Sequence, residues 1–442
     1  MNNLRELLLT IPPERDCLIS NKILMSYNDV QKNVNNNKKI IEKLRSGNVV
    51  INARGRFELS KLLFLLDGQV NSILFLPKDI DISLHDRYYE EADVNYEVFL
   101  ENDILKYNLI EEVKSNNTLK ETTWIIPTSG TTNIPKLVAH TFKSLTRTVN
   151  SDIEIGKNYR WGLVFDLYRF SGIQVFLQSM LSGSSLIISE SDMSMSEILQ
   201  NLIKNNCNAL SATPSFWRKV MMSKELNSLD FKIITLGGEI ADENILQALK
   251  TKFSNAKILH IYASTEAGVG FSVNDIHAGF PKYYIENAIN GISIKLSETN
   301  TLLIKNEQQT QKYLSNNDLY LDDGFIDTGD IIEIKGDRVY FLGRNSGAIN
   351  VGGNKVQPEE VENILITSAY VNAAFVYPKK NSMMGNIVCA DIVLSGNTID
   401  KKIVKTEILK FCREKLENFK VPAIIKFVDE LETTHSGKLK RN

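Results

Sequence analysis

Short apolar or β-branched runs recur along the chain, each followed by a turn rich in Gly, Ser or Thr and then by a stretch with helical spacing. The clearest runs are Trp124-Ile-Ile126, Leu186-Ile-Ile188, Phe231-Lys-Ile-Ile-Thr235 and Lys257-Ile-Leu-His-Ile-Tyr262. Strands that are apolar on both faces suit a parallel-rich sheet covered by helices, so the pattern predicts an α/β fold. In such sheets ligands bind beyond the carboxyl ends of the strands, where these turns fall. Asn208-Ala-Leu-Ser-Ala-Thr213 followed by Pro214 is one such join, with Thr213 placed as N-cap and Pro214 as first helical residue.

After about Arg344 the order changes to strand, hairpin, helix, strand, strand, helix, strand. Pro358 can open the first of these helices, and Val404, Ile408, Phe411 and Leu416 recur at helical spacing on the second. The expected division is a large N-terminal domain, 1–343, and a small, mobile α+β domain, 344–442. The Asn/Lys-rich segment 33–39 reads as a solvated turn.

At 442 residues the chain exceeds one ordinary core, which favours two or more domains. An apolar share of 43% and a charged share of 24% are those of a globular protein. Lys and Arg (51) nearly balance Asp and Glu (53), which leaves no broad basic field for nucleic acid or anionic lipid. The four cysteines, Cys17, Cys207, Cys389 and Cys412, have no CxxC spacing, which argues against a disulfide framework or a structural zinc site and fits the cytoplasm. The start lacks the apolar core of a signal peptide, and runs such as Leu62-Leu-Phe-Leu-Leu66 fall far short of the roughly 20 apolar residues of a membrane span.

The most informative stretch is Thr128-Ser-Gly-Thr-Thr-Asn-Ile-Pro-Lys136, which follows a predicted strand. A turn dense in hydroxyls and backbone NH groups and closed by a lysine can wrap a polyphosphate, with the lysine as a point charge. It is not the GxxxxGK[ST] loop, and on its own it could be an ordinary polar loop. Further along stand Gly237-Gly-Glu239, Tyr262-Ala-Ser-Thr-Glu266, Asp322-Asp-Gly-Phe-Ile-Asp-Thr-Gly-Asp330, Gly343-Arg344, Ile349-Asn-Val-Gly-Gly-Asn-Lys-Val-Gln-Pro-Glu-Glu-Val-Glu362 and Thr434-His-Ser-Gly-Lys-Leu-Lys-Arg441. Singly, a Thr-Glu pair, an acidic turn or a lysine near the end of a chain is usually a solvated feature.

In this order, from about residue 120 onward, the segments resemble the adenylate-forming superfamily of acyl-CoA synthetases, adenylation domains and luciferases. The resemblance implies that Thr128, Ser129, Gly130, Thr131, Thr132 and Lys136 hold phosphate. Tyr262 would flank adenine, Thr265 bind phosphate, and Glu266 help hold Mg²⁺. Ser264 and the strand end Gly238-Glu239 would line the nucleotide. Asp330 would accept the ribose hydroxyl protons, with Arg344 a second nucleotide contact near a hinge at Ser346. Gly237 and Gly268 would floor the acyl pocket. The hairpin Gly352-Gly353 would serve the thiol step, and Lys438 would be the catalytic lysine.

The implied protein is an ATP-dependent acid:thiol ligase that forms an acyl-adenylate and then a thioester. Its implied substrates and cofactors are a small carboxylic acid, ATP, Mg²⁺ and coenzyme A. A carrier protein's phosphopantetheine is an alternative thiol, which would make the chain a stand-alone adenylation enzyme. A silent nucleotide-binding homologue is a second alternative, which has no need of Lys136, Glu266, Asp330, Arg344 and Lys438 together. Departures from the family pattern include Asn133, Leu137, Ser346 and Glu432, and a short region before residue 120. In Tyr168-Arg-Phe-Ser-Gly172, Arg169 stands where the family often has histidine; either it orients a polar or anionic part of the acid or it makes a structural salt bridge.

Overall fold

The computed structural model describes residues 2–113, 121–128, 134–306, 311–315, 318–381, 384–396 and 400–432. Two α/β layers form the larger part. The first is an eight-stranded sheet ordered Gly268–Val273, Lys257–Ser264, Ile233–Gly237, Ala209–Ala212, Arg160–Leu163, Ser185–Ile188, Asp16–Ile19, Leu24–Ser26. Its neighbours run parallel except at the two edges, where Gly268–Val273 and Leu24–Ser26 run antiparallel. The second sheet has seven strands, with Thr123–Pro127, Ser72–Leu74, Asn48–Ile51 and Tyr96–Glu101 parallel at its centre. Leu137–His140 and Lys312–Tyr313 extend one edge antiparallel. The apolar runs read from the sequence are therefore inner strands; those at Trp124, Leu186 and Ile233 are buried on both faces, whereas Lys257–Ser264 is largely half-buried because its end lines the cavity.

One core joins the two sheets, and the helices Arg56–Leu66 and Phe170–Leu181 supply its centre. Every residue of Arg56–Leu66 is buried, and Phe64 meets Phe176 edge to face with centroids 5.8 Å apart. Two polar members of that helix find partners on burial: Arg56 donates to the Ser189 carbonyl and Lys61 pairs with Asp103. Gly172 permits the close approach of the second helix, since a Cβ there would stand 2.2 Å from the Asp166 carbonyl oxygen.

A five-stranded antiparallel sheet, Phe280–Pro281, Arg338–Arg344, Ile326–Lys335, Thr301–Asn306 and Ile292–Leu296, follows the α/β layers and was not foreseen from the sequence. Beyond it a short helical turn, Asn345–Gly347, stands where the leading strand was expected, and the rest follows the expected order: a hairpin Ile349–Val351 and Asn354–Val356, helix Pro358–Ile366, strands Val371–Asn381 and Gly385–Leu394, helix Lys401–Lys415 and strand Ile424–Phe427. These elements enclose their own core, drawn from Ile349 to Ile425. Thr213 caps its helix by accepting from the Phe216 NH at 3.1 Å, with Pro214 next, as read from the sequence.

Two local expectations fail. Of the positions expected on the second C-terminal helix, Val404, Ile408 and Leu416 are buried, but Phe411 is only half-buried and Cys412 takes its place in the stripe, because a spacing of four keeps one face. Segment 33–39 is not a solvated turn: it joins the helices Tyr27–Asn36 and Lys38–Leu44, and Asn37 is buried there. The Asn37 amide donates to the Asn33 and Asp103 carbonyls and accepts from the Leu105 NH at 2.7 Å. The four cysteines are all free and buried. Among the described residues no helix is long and apolar enough to cross a membrane.

Candidate active site

A cavity of about 1980 Å³ opens where the carboxyl ends of the parallel strands face the antiparallel sheet and the C-terminal elements. Strand Ile233–Gly237 delivers Gly237, Gly238 and Glu239 to its wall, and strand Lys257–Ser264 delivers Tyr262, Ser264, Thr265 and Glu266. Asp330 and Arg344 reach it from paired strands of the antiparallel sheet, where they are register partners. Arg169 lies on the wall at the head of helix Phe170–Leu181. The strand-end rule thus brings together residues that stand far apart in the sequence.

The tightest constellation surrounds Asp330. Its Oδ1 accepts from Arg344 Nε at 3.0 Å, and its Oδ2 accepts from the Tyr262 hydroxyl. Burial, then the Asp330 charge, push the Tyr262 hydroxyl well above the usual tyrosine range, so it stays a donor. Burial works to lower Arg344, but negative charge nearby, Asp330 first and Glu266 after it, outweighs burial and raises its pKa. Glu266 is thereby within electrostatic reach of the Asp330–Arg344 pair. The Tyr262 ring stacks with Phe341 and Phe271, at centroid separations of 5.0 and 5.4 Å. Phe341 also lines the cavity, and nothing in the local sequence marked it.

Around the polar loop, Thr128 and Lys136 close the neck: the Thr128 NH donates to the Lys136 carbonyl at 2.8 Å, and the Lys136 NH donates to Thr128 Oγ1 at 3.1 Å. Ser129, Gly130, Thr131 and Thr132 lie outside the described residues, as does Lys438. Lys136 Nζ sits 4.6 Å over the Tyr313 ring. Burial, and then the charge of Glu266, push the Tyr313 hydroxyl up to about 12. It comes from the edge strand Lys312–Tyr313, too short to leave a signal in the sequence.

His140, on the strand after the loop, bonds through Nε2 to the Thr265 carbonyl at 2.9 Å. Burial lowers its pKa to about 4, so the ring is neutral and Nε2 donates. Sequence reasoning missed this residue because a lone histidine on an apolar strand carries no pattern. Ser264 turns inward, with its Oγ accepting from the Ala267 NH at 3.0 Å, and Glu239 accepts from the Ser215 NH at 3.0 Å. Arg169 donates to both oxygens of Asp79, at 2.7 and 2.9 Å, so the salt bridge weighed from the sequence is present. Among the described residues, the cavity lining does not include Thr128, Lys136, Gly268, Gly352 or Gly353. Gly268 has φ +71° and nothing within 4 Å of where a Cβ would be, and Gly352 and Gly353 turn the hairpin at φ +57° and +91°.

Comparison with known proteins agrees with this geometry. The sequence profile of AMP-binding enzymes matches residues 60–310, and that of the AMP-binding enzyme C-terminal domain matches residues 360–438. A 2-succinylbenzoate–CoA ligase of Bacillus pumilus is 27% identical over 350 residues, covering 75% of this chain and 70% of that one. An oxalate–CoA ligase of Saccharomyces cerevisiae is 25% identical over 342 residues, covering 72% of this chain and 61% of that one. The o-succinylbenzoate CoA synthetase of Bacillus subtilis, solved with the acyl-adenylate intermediate OSB-AMP, superposes with a TM-score of 0.74 at 19% identity, covering 99% and 97% of the two chains.

Proposed function

Because the chain belongs to the AMP-binding enzyme family, we propose that it is an AMP-forming acid:thiol ligase that makes an acyl-adenylate from a carboxylic acid and ATP and then an acyl-CoA. The observation that carries this reading is the convergence of Glu266, Tyr262, Asp330 and Arg344 on one cavity. Coenzyme A is favoured over a carrier protein because relatives such as the 2-succinylbenzoate–CoA and oxalate–CoA ligases use CoA, although a bacitracin synthase of Bacillus licheniformis is also similar, at 22% identity.

A carboxylate is a poor acyl donor, since its leaving group would be oxide. Attack of its oxygen on the α-phosphorus of ATP expels pyrophosphate and leaves a mixed anhydride with AMP. Negative charge gathers on phosphate oxygens in that step, and fixed donors stabilise it most. The loop from Thr128 to Lys136, Thr265 and the tail lysine Lys438 are suited to that task. Asp330, held between the Tyr262 hydroxyl and Arg344, presents a carboxylate to the ribose hydroxyls, and the Gly237-Gly238-Glu239 strand end borders the nucleotide and acyl groups.

For Mg²⁺ the donor set fits a metal that arrives with its substrate. Among the described residues no cluster of three or more His, Cys, Asp or Glu could hold an ion alone, whereas Mg²⁺ commonly binds one or two carboxylates plus substrate phosphates. Glu266 would supply that carboxylate, and the bound ion would neutralise phosphate charge.

In the second half-reaction the CoA thiol attacks the acyl carbon and AMP leaves. The separate core from Ile349 to Ile425 supports a division near residue 344 and a C-terminal domain that moves about Ser346, exchanging Lys438 for the Gly352-Gly353 hairpin. Four free buried cysteines suit the cytoplasm. The test is acid-dependent exchange of labelled pyrophosphate into ATP over aryl, short, medium and long-chain acids, followed by CoA or a carrier protein supplied to the preformed adenylate. Exchange with a subset of acids and discharge by CoA are expected. No exchange with any acid would mean a silent nucleotide-binding protein, and discharge by carrier protein alone would exclude the CoA assignment.

A further inference from the structure

Four arginines line the cleft: Arg147, Arg169, Arg218 and Arg344. Three are matched by carboxylates, Arg169 by Asp79, Arg218 by Asp242 and Arg344 by Asp330. Arg147 is the exception. Its guanidinium donates to two backbone carbonyls, those of Val269 and, at 3.4 Å, Asn290, and has no carboxylate partner among the described residues. Burial alone lowers its pKa, with no acidic side chain acting against it. Carbonyls satisfy hydrogen bonds without supplying net charge, so a half-buried cation is left uncompensated in a cleft whose other arginines are neutralised.

The position is fixed and close to the chemistry. Arg147 follows helix Phe142–Thr146, which is tied to the cleft-wall helix by Gln174 Nε2 donating to the Leu145 carbonyl at 2.9 Å. Val269, whose carbonyl it holds, follows the open Gly268 just downstream of Glu266. Val149, Trp161 and Val269 line the same cavity and pack on one core, and Val269 is the residue whose carbonyl Arg147 holds, so apolar surface borders the guanidinium. An acid lying there meets apolar surface along its body and a positive charge at its far end.

We infer that the acid is a dicarboxylic acid: one carboxyl is activated, and the distal carboxylate pairs with Arg147 across the Val149, Trp161 and Val269 wall. This rests on the ligase reading above. A carboxylate suits the site better than a phosphate, because Arg147 already spends donors on two carbonyls and a lone guanidinium matches a planar two-oxygen anion.

The experiment measures pyrophosphate exchange with straight-chain and aryl dicarboxylates, each paired with the monocarboxylate in which the distal carboxylate is replaced by methyl. The wild type should prefer the diacid of at least one pair by about tenfold or more. Arg147→Gln can still donate to the Val269 carbonyl but lacks the charge; it should cut that diacid-to-monoacid ratio in kcat/KM by about ten- to a hundredfold. Arg147→Lys, which keeps the charge, should recover part of the ratio. Exchange in which diacids hold no advantage overturns the proposal and leaves the ligase reading intact. A diacid preference that Arg147→Gln leaves unchanged, or an equal fall for both members of each pair, also overturns it, since the arginine would then be only a latch on the Val269 strand.

Discussion

At the scale of single residues, Asp330 is the most constrained polar group of the cleft. Both its oxygens are engaged, by Arg344 and by the Tyr262 hydroxyl, and its side chain is only 14% exposed. A carboxylate so placed has fixed aim and remaining lone pairs for two ribose hydroxyls. Asp330→Asn keeps the size but loses half of that acceptor capacity and leaves Arg344 without a charge partner. In the exchange assay the variant should raise the ATP KM by about ten- to a hundredfold, the range for losing hydrogen bonds to a charged group, with a smaller change in the acid KM. An unchanged ATP KM would remove Asp330 from the nucleotide site. Asp330 was legible in the sequence through its Thr-Gly-Asp setting. Its partners were legible only as separate motifs, because their hydrogen bonds arise from strand pairing between distant segments.

At the scale of elements, the parallel strands were readable because burial on both faces leaves an uninterrupted apolar run, as in Trp124 to Ile126 and Leu186 to Ile188. The antiparallel sheet was not, since strands such as Ile326–Lys335 are half-buried over much of their length and mix Asp, Thr and Glu with their apolar positions. The Asn-rich segment misled for a related reason: polar composition signals solvent, but Asn37 satisfies its amide internally. His140 couples two elements, bracing the strand after the phosphate-type loop against Thr265. Its pKa is about 4 in the fold against about 6.5 for a free histidine, so the unfolded chain binds more protons between these values and stability falls as pH drops through that window. Asp67, raised to about 7 mainly by burial, works with the opposite sign in the same range, so the comparison must be differential. His140→Gln, which can keep a donor to Thr265, should lose less Tm than the wild type between about pH 6.5 and 4. Parallel Tm curves for the two proteins would show that His140 is not the group that titrates.

At the scale of the whole molecule, the proposed ligase runs two half-reactions in one cleft, and that proposal has the C-terminal elements adjust against the cleft between them. Glu359, Glu362 and Asn363 of helix Pro358–Ile366 line the cavity, so this helix is one part of the C-terminal unit that meets it, beside Asn372, Val393 and Asp429. The helix lies against Gly343, the residue before Arg344, where φ is +141° and a Cβ would stand 2.4 Å from Glu359 Oε2. A larger residue there must hold a backbone conformation that costs of order 1–3 kcal/mol and must also displace the Glu359 carboxylate. Gly343→Val should therefore disturb the swing between the two arrangements more than either arrangement's chemistry. Steady-state acyl-CoA formation should fall by about tenfold or more, while pyrophosphate exchange at saturating acid and ATP falls by a clearly smaller factor. If both rates fall together, the contact at Gly343 supports the nucleotide site itself. The movement must then be sought at residues beyond Arg344, where Ser346 also faces the cleft.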